Sequence, residues 1–211
     1  MAYSVKEIYF TLQGEGAQTG RPAIFCRFAG CNLWTGREED RAKAICQFCD
    51  TDFVGTDGPG GGTFPTAKEL AKNLRTYWPQ ENNIPPYIVC TGGEPLLQID
   101  DALINAVHDE GMLLAIETNG TKLPPAGIDW VCVSPKAGSD FILKQGDELK
   151  LVYPQPEALP EQFVDLEFDH FYLQPMDGPE IEKNRAAAVQ YCLEHPQWKL
   201  SLQTHKTLGI D

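Results

Sequence analysis

Strand-like and helix-like segments alternate along the chain, and this alternation limits the folds open to it. The strand-like segments are rich in Ile, Val, Phe and Tyr, and most of them end in polar, Gly or Pro residues. Such alternation favours a mainly parallel sheet with helices packed against it. The strand-like segments are residues 8–13, 23–28, 87–91, 113–118, 130–134, 148–153, 171–174 and 199–204.

Three segments carry helix signals. The capping-box pattern Thr66-Ala-Lys-Glu69 begins a helix that is expected to continue to Trp78. Residues 100–110 form a second predicted helix, closed by Gly111, because glycine readily adopts the backbone conformation that ends a helix. Residues 180–194 form the third.

The chain is short for a complete barrel. Some connections between strands, such as residues 120–129, leave no room for a helix. A complete eightfold (β/α) barrel usually takes about 250 residues, whereas this chain has 211. We therefore predict an α/β fold, a partial, shortened (β/α) barrel with a mainly parallel sheet, built as a single domain over residues 1–211.

The formal charge of −13 bears on the partners of the protein. An acidic surface repels nucleic-acid phosphates, so no nucleic-acid partner is expected. A few local Arg or Lys side chains can still make a pocket suitable for an anionic small molecule. No apolar run reaches membrane-spanning length, and residues 1–10 lack a signal-peptide core, which predicts a cytoplasmic protein without membrane contact.

Polar or small residues cluster where the strand-like segments end. In parallel α/β folds the carboxyl ends of the strands carry the functional site. Six clusters at one structural level predict a single pocket ringed by strand ends. The clusters are Gln13-Gly-Glu15, Thr91-Gly-Gly-Glu94, Glu117-Thr-Asn119, Ser134-Pro-Lys136, Gln174-Pro-Met-Asp177 and Gln203-Thr-His205.

Seven cysteines without a secretory signal argue against a disulfide framework. The pair Cys46-Gln-Phe-Cys49, with Cys31 upstream, is compatible with a zinc half-site, a redox dithiol or iron–sulfur cluster ligands. The strongest competing interpretation is structural zinc with Cys26 as the fourth ligand. Strand alternation, however, places Cys26 in the core, with Arg27 on the opposite face.

The remaining cysteines are not expected to bind metal, which leaves three thiolates as candidate ligands. Cys90, Cys132 and Cys192 lie in apolar segments and are expected to be buried core thiols. A four-iron cluster ordinarily takes four thiolates. Three thiolates would therefore leave one iron open to a reacting molecule.

The motifs resemble those of a known enzyme family. Without the polar, charged insert at residues 35–45, which is expected to loop out, Cys31-Asn-Leu-Trp34 adjoins Cys46-Gln-Phe-Cys49, and the result resembles the radical S-adenosylmethionine (SAM) signature. Further ordered segments are similar to the 7-carboxy-7-deazaguanine synthases. They are Phe10-Thr-Leu-Gln-Gly-Glu-Gly16, Arg27-Phe-Ala-Gly-Cys31, Cys49-Asp-Thr51, Thr91-Gly-Gly-Glu-Pro-Leu96, Glu117-Thr-Asn-Gly120, Ser134-Pro-Lys136 and Gln174-Pro-Met-Asp177.

This resemblance implies a radical SAM fold and a carbon–nitrogen lyase of queuosine biosynthesis. The implied reaction converts 6-carboxy-5,6,7,8-tetrahydropterin to 7-carboxy-7-deazaguanine and ammonia by radical ring contraction. The implied cofactors are a 4Fe-4S cluster, SAM and Mg2+, and the implied partners are an external electron donor such as a flavodoxin and a second copy of the chain. The alternatives are another radical SAM activity, such as a protein-radical activase, or a non-catalytic metal-binding module.

The resemblance also implies roles for individual residues, none of them a side-chain acid or base. Glycines at 92–93 allow close backbone approach, and a carboxylate suits the SAM ammonium. An Arg can grip a carboxylate as a fork, and a Thr oxygen suits a sparsely liganded Mg2+. The implied cluster ligands are Cys31, Cys46 and Cys49, with Thr51 for Mg2+. The implied SAM residues are Phe48, Cys49, Asp50, Gly93, Glu94, Glu117, Ser134, Pro135, Lys136, Gln174, Pro175, Met176 and Asp177. The expected substrate residues are Leu12, Gln13, Gly14, Glu15, Arg27 and Thr91.

The C-terminal segment is expected to join the substrate site. Residues 199–204 should end at the catalytic face, since parallel strands present their carboxyl ends there, which places His205 at the pocket mouth. Residues 206–211 reach at most about 20 Å when extended, so they can cover or enter the pocket. We expect Asp211 to hydrogen-bond to the pterin edge through its carboxylates. The alternative is a frayed tail with a surface histidine.

Overall fold

A sheet of nine strands forms the body of the protein in the computed structural model, which describes residues 2–79 and 83–210. The strand bounds differ from the predicted ones mainly at the ends, where hydrophobic patterns are least informative. The strands are β1 (Tyr3–Leu12), β2 (Pro22–Phe28), β3 (Gly62–Phe64), β4 (Tyr87–Gly92), β5 (Leu113–Thr118), β6 (Trp130–Val133), β7 (Gln145–Tyr153), β8 (Glu167–Pro175) and β9 (Trp198–Leu200).

The sheet is mostly parallel and open, in the order β3-β1-β2-β4-β5-β6-β7-β8-β9. Every neighbouring pair from β2 to β9 is parallel. Strand β1 runs antiparallel to both of its neighbours. The predicted class, a partial barrel with a mainly parallel sheet, is therefore confirmed, although β3 was not predicted.

The helices are α1 (Ala67–Arg75), α2 (Asp101–Asp109), α3 (Ile181–Glu194) and α4 (Thr204–Leu208). Side-chain caps begin the first two, since Thr66 Oγ1 accepts from the Glu69 amide at 3.2 Å and Asp100 Oδ1 accepts from the Leu103 amide at 3.0 Å. Helix α1 ends before the predicted Trp78. Helix α4 begins at the last residue of the predicted final strand. Among the described residues, no helix combines the length and apolar composition needed to cross a membrane.

Strand alternation divides the sheet into two faces. One face packs on α1 and α2 through fully buried side chains such as Ile24, Cys26 and Leu114. A second cluster, which includes Leu149 and Leu173, packs β7 and β8 against α3. The alternate residues of the same strands therefore face the other side of the sheet, where they are free to line a cavity.

The sheet curves so that its two ends meet across this cavity. The segment after β1 crosses to the far strands, where the Gly16 amide donates to Ser201 Oγ and the Ala17 amide donates to Glu148 Oε2, both at 2.9 Å. A side chain at position 16 would collide with the Glu148 carboxylate, and Gly16 has a φ of +65°. Glycine therefore permits the crossing.

Candidate active site

A cavity of about 390 Å³ lies on the inner face of the curved sheet. Its lining comes from β1, β2, β4, β5, β7 and β8, from the loop that carries Cys46 and Cys49, and from α4. Side chains distant in sequence thus meet in one place. The cavity brings together most of the residues that the sequence motifs singled out.

Cys31, Cys46 and Cys49 line one side of this cavity, and we call them the cysteine wall. The Leu33 amide donates to Cys31 Sγ at 3.4 Å. A hydrogen bond from the Cys46 thiol lowers the pKa of Cys49 to about 6 and raises that of Cys46. The wall supplies three neighbouring sulfurs, one already inclined to ionise, which fits a cluster held by three thiolates.

The four remaining cysteines lie elsewhere. Cys26 and Cys90 are buried on the opposite face of the sheet, among the residues that pack on α1 and α2, as predicted for Cys26. Cys132 is also buried, but Cys192, expected in the core, is only partly so. Cys26 therefore cannot serve as the fourth ligand of a zinc site with the cysteine wall, because it lies on the opposite face of the sheet.

The glycines after β4 allow this strand end to lie against the segment that carries Cys31. A Cβ at Gly92 would lie 2.2 Å from the Phe28 carbonyl oxygen, and one at Gly93 would lie 2.0 Å from the Gly30 carbonyl oxygen. Gly92 also has a φ of +128°. Backbone therefore faces the cavity beside the cysteine wall, and no other residue type fits there without a shift.

Glu94 has a different environment from the one expected of a SAM ligand. Its carboxylate is fully buried and accepts from the Leu96 amide, Thr118 Oγ1 and the Asn119 amide at 2.8 to 3.0 Å. Burial raises the pKa of Glu94, and these bonds oppose that shift. The side chain joins the ends of β4 and β5 and does not line the cavity, and its contact with the SAM ammonium stays a prediction.

Most of the other predicted SAM residues line the cavity. Pro135 and Met176 do not; their carbonyl oxygens accept from Gln155 Nε2 at 3.3 Å and Asn184 Nδ2 at 2.8 Å. Lys136 Nζ donates to the carbonyl and hydroxyl oxygens of Ser134, both at 2.7 Å, and burial lowers the pKa of Lys136. The cavity-lining members are Phe48, Cys49, Asp50, Gly93, Glu117, Ser134, Lys136, Gln174, Pro175 and Asp177.

Gln13, Glu15, Glu117 and Lys150 form a second set of cavity side chains, which we call the polar cluster. Lys150 Nζ lies 2.6 Å from Glu15 Oε2 and 3.3 Å from Glu117 Oε2. Gln13 Nε2 donates to Glu117 Oε1 at 3.0 Å. The sequence prediction assigned Glu117 to SAM, whereas its contacts place it with the expected substrate residues.

Residues 13–15 line the cavity as predicted, but they do not lie at the carboxyl ends of the parallel strands. Leu12 pairs with Pro22, so β1 ends at the edge where β2 begins, away from the carboxyl ends of the parallel strands. The predicted shared strand-end level is therefore wrong for this cluster. Residues 12–15 still line the cavity because the segment after β1 turns across the inner face.

Arg27 and Thr91 lie side by side on paired strands and both face the cavity, as predicted. Arg27 Nε donates to Glu7 Oε1 at 2.7 Å, and one terminal nitrogen donates to Tyr9 Oη at 2.9 Å. The guanidinium is thus held by β1 before any ligand arrives. Thr51, the expected Mg2+ ligand, also lines the cavity.

Helix α4 brings His205 to the cavity, as predicted, but the segment is helical rather than extended. Thr204 donates to the Gly14 carbonyl oxygen from its amide at 3.0 Å and its hydroxyl at 2.9 Å. A Cβ at Gly14 would lie 2.2 Å from His205 Nδ1, so the imidazole packs directly on this glycine. Lys206 bridges Asp50 and Asp177 across the cavity mouth. Asp211 lies outside the described residues.

Comparisons with known proteins place the chain in a family. It is 64% identical over 210 residues to the 7-carboxy-7-deazaguanine synthase of Bordetella pertussis and 61% identical to that of Bradyrhizobium diazoefficiens, in both cases over the full length of both chains. The chain belongs to the 7-carboxy-7-deazaguanine synthases.

The crystal structure of QueE from Escherichia coli has the same fold, with a TM-score of 0.72 and 27% identity over 96% of this chain and 94% of the other. No protein-family model matches the chain. Membership of the 7-carboxy-7-deazaguanine synthases confirms the family expected from the motifs. It does not favour the activase or the non-catalytic metal-binding module.

The insert at residues 35–45 contacts the cysteine wall instead of looping away, which the sequence reasoning missed. It contains a short 3-10 helix, Glu38–Lys43. Arg41 donates to the carbonyl oxygens of Gln47 at 2.9 Å and Cys49 at 3.0 Å, and its guanidinium lies 4.0 Å from the centre of the Trp34 ring. Glu38 pairs with the same guanidinium. No local pattern signals bonds to backbone carbonyls, so the sequence could not identify Arg41.

The contacts of Arg41 predict that this side chain stabilises the loop that carries the cysteine wall. Arg41→Gln removes the Nη1 donor that bonds to two carbonyls of the cysteine loop, so the reconstituted protein should lose iron several-fold faster. Iron release to a chelator under anaerobic conditions measures this rate. Arg37→Gln is the matched control, since the Arg37 side chain is 70% exposed and its nearest carboxylate lies 3.9 Å away. Equal rates in the two variants would show that Arg41 does not hold the loop.

Proposed function

We propose that this chain converts 6-carboxy-5,6,7,8-tetrahydropterin to 7-carboxy-7-deazaguanine and ammonia, as a radical SAM lyase of queuosine biosynthesis. The observation that carries the proposal is the juxtaposition of the cysteine wall and the polar cluster in one cavity, within a chain of the 7-carboxy-7-deazaguanine synthases. A radical enzyme needs its cofactors and substrate close together and shielded from water. A cavity on the inner face of a curved sheet meets both needs.

The cysteine wall is the proposed site of a 4Fe-4S cluster held by Cys31, Cys46 and Cys49. A cluster held there would supply, when reduced, the electron for the reductive cleavage of SAM. The chain's own contribution is to hold three thiolates on one loop. Arg41 fixes the carbonyls of that loop.

The proposed SAM site lies beside the cysteine wall. The Gly93 backbone approaches closely enough to receive the amine, Lys136 suits the carboxylate, and Ser134 offers a hydroxyl for the ribose. Phe48 is the proposed neighbour of the adenine. Further proposed contacts come from Asp50, Gln174, Pro175 and Asp177, all of which line the same cavity.

The polar cluster is the proposed site of the pterin edge. A pterin presents an amino group and ring N–H donors, and the carboxyl oxygens of Glu15 and Glu117 present acceptors. Arg27 is the proposed contact for the substrate carboxylate and Thr91 offers a hydroxyl nearby. Leu12, Gly14 and His205 complete this side of the cavity. A role for Asp211 stays a prediction.

Mg2+ bound by Thr51 is a further part of the proposal, as are an external electron donor such as a flavodoxin, assembly as a homodimer and a cytoplasmic location. Thr51 follows Cys49 by two residues and lines the same cavity. A single protein oxygen suits Mg2+, which completes its octahedron with water and substrate oxygens.

Turnover by the reconstituted protein tests the activity itself. With SAM, a chemical reductant and carboxytetrahydropterin under anaerobic conditions, wild-type protein should form 7-carboxy-7-deazaguanine and ammonia. Cys46→Ala should abolish both products and reduce iron content, because it removes one of three ligands. Cys192→Ala is the control, since Cys192 lies on α3. Product formed by Cys46→Ala, or none formed by wild type, counts against the proposal.

Thr51→Val tests the Mg2+ site at nearly constant side-chain volume. The variant should keep its cluster spectrum but respond to added Mg2+ several-fold less than wild type, because it lacks the proposed oxygen ligand. The measurement is the initial rate across a Mg2+ titration. An unchanged titration would remove Thr51 from the metal site.

A further inference from the structure

We infer that Lys150 is a positioning residue for substrate recognition, because it holds the Glu15 and Glu117 carboxylates in place across the cavity as acceptors for the donor-rich edge of the substrate. This inference rests on the proposed function. It adds a residue that no motif of the sequence singled out, and it explains how a segment from an antiparallel strand is fixed in the cavity.

Lys150 is almost completely buried, with its Nζ shared between two carboxylates that come from different parts of the chain. Glu15 comes from the segment after β1, and Glu117 comes from β5. The ammonium on β7 therefore joins three separate parts of the sheet. A buried cation in this position is costly unless its partners are ionised and well placed.

The second oxygen of each carboxylate is also held. Gln203 Nε2 donates to Glu15 Oε1 and Gln13 Nε2 donates to Glu117 Oε1, both at 3.0 Å. The Glu15 amide in turn donates to Gln13 Oε1 at 3.1 Å. Each carboxylate thus has one oxygen toward Lys150 and one toward an amide, which fixes its plane and leaves its remaining lone pairs for a ligand.

The charge balance of this region favours a substrate that donates hydrogen bonds. Glu15 and Glu117 share one ammonium, and Glu148 lies on the same face of β7 two residues before Lys150. Negative charge is therefore left for the ligand to meet. Amino and ring N–H groups of a pterin meet it, whereas a purely accepting edge would leave buried carboxylates facing lone pairs.

Lys150 also keeps Glu15 ionised. Burial acts to raise the pKa of Glu15, but Lys150, with help from Gln203 and His205, outweighs it and lowers the pKa to about 2. Without Lys150 the burial effect remains, with Glu117 and Glu148 nearby to add to it. The pKa of Glu15 then rises, so the carboxylate is lost as pH falls, and substrate binding weakens in the acid direction.

The experiment uses reconstituted holoenzyme and two binding measurements by equilibrium dialysis, one with carboxytetrahydropterin and one with SAM. Lys150→Met should weaken pterin binding about 10- to 100-fold, the range of coupling within one charged network, and change SAM binding less than about twofold. The loss should grow between pH 8 and pH 6. Lys144→Met is the control, since Lys144 is exposed and lies over the Phe141 ring.

A second variant keeps the inference testable if Lys150→Met does not fold. Lys150→Met/Glu15→Gln removes the Glu15 charge together with its partner. In the Glu15→Gln background the further loss of pterin binding caused by Lys150→Met should stay well below 10-fold, because only Glu117 then still depends on Lys150, and the extra pH dependence should disappear. Independent, additive losses would overturn the inference, as would unchanged pterin binding in Lys150→Met or an equal loss of SAM binding. Failure of wild-type turnover with normal pterin binding would instead count against the proposed function.

Discussion

The ion pair between Lys150 and Glu15 joins β7 to the segment after β1, and this connection crosses the inner face of the sheet where the cavity lies. A mostly parallel sheet of this length has an apolar face that the helices cover. Its other face carries the small apolar cluster of Ala23, Tyr87, Val89 and Ala115 together with the polar side chains of the cavity, which would be solvated if the sheet were flat. The segment after β1 crosses that face and is held there by Lys150, Glu148 and Ser201. The crossing converts a sheet face into an enclosed site.

The cavity contains two regions, one formed by cysteine sulfurs and glycine backbone and the other by charged side chains. The cysteine wall provides soft sulfur ligands, which suit a cluster. Gly92 and Gly93 at the end of β4 allow close approach to the backbone, which suits a flexible cofactor. The polar cluster provides fixed hydrogen-bond acceptors, which suit a rigid heterocycle. Glu94 is bonded to groups at the ends of β4 and β5, whereas Glu15 and Glu117 share one buried ammonium and line the cavity. The acceptors offered to a ligand are therefore the carboxylates whose hydrogen bonds are not all made within the fold.

Local patterns predicted the parts of this arrangement that depend on neighbours in sequence. Strand alternation correctly put Cys26 in the core and Arg27 in the cavity, and the cap at Thr66 correctly began α1. The antiparallel direction of β1 depends on long-range pairing, which no local pattern contains. Arg41 binds carbonyl oxygens and so left no trace in sequence. Lys150 did leave one, since Glu148 and Lys150 are charged residues at period two in a strand otherwise rich in apolar residues.

The central claim is that SAM and the pterin occupy different sides of one cavity. An anaerobic crystal structure of the reconstituted protein with SAM and carboxytetrahydropterin measures this directly. We expect SAM against the cysteine wall and Gly93, and the pterin edge within about 2.7–3.2 Å of the Glu15 or Glu117 carboxylate oxygens. A pterin bound at Ser134 and Lys136, or one whose edge is turned away from both carboxylates, would contradict it.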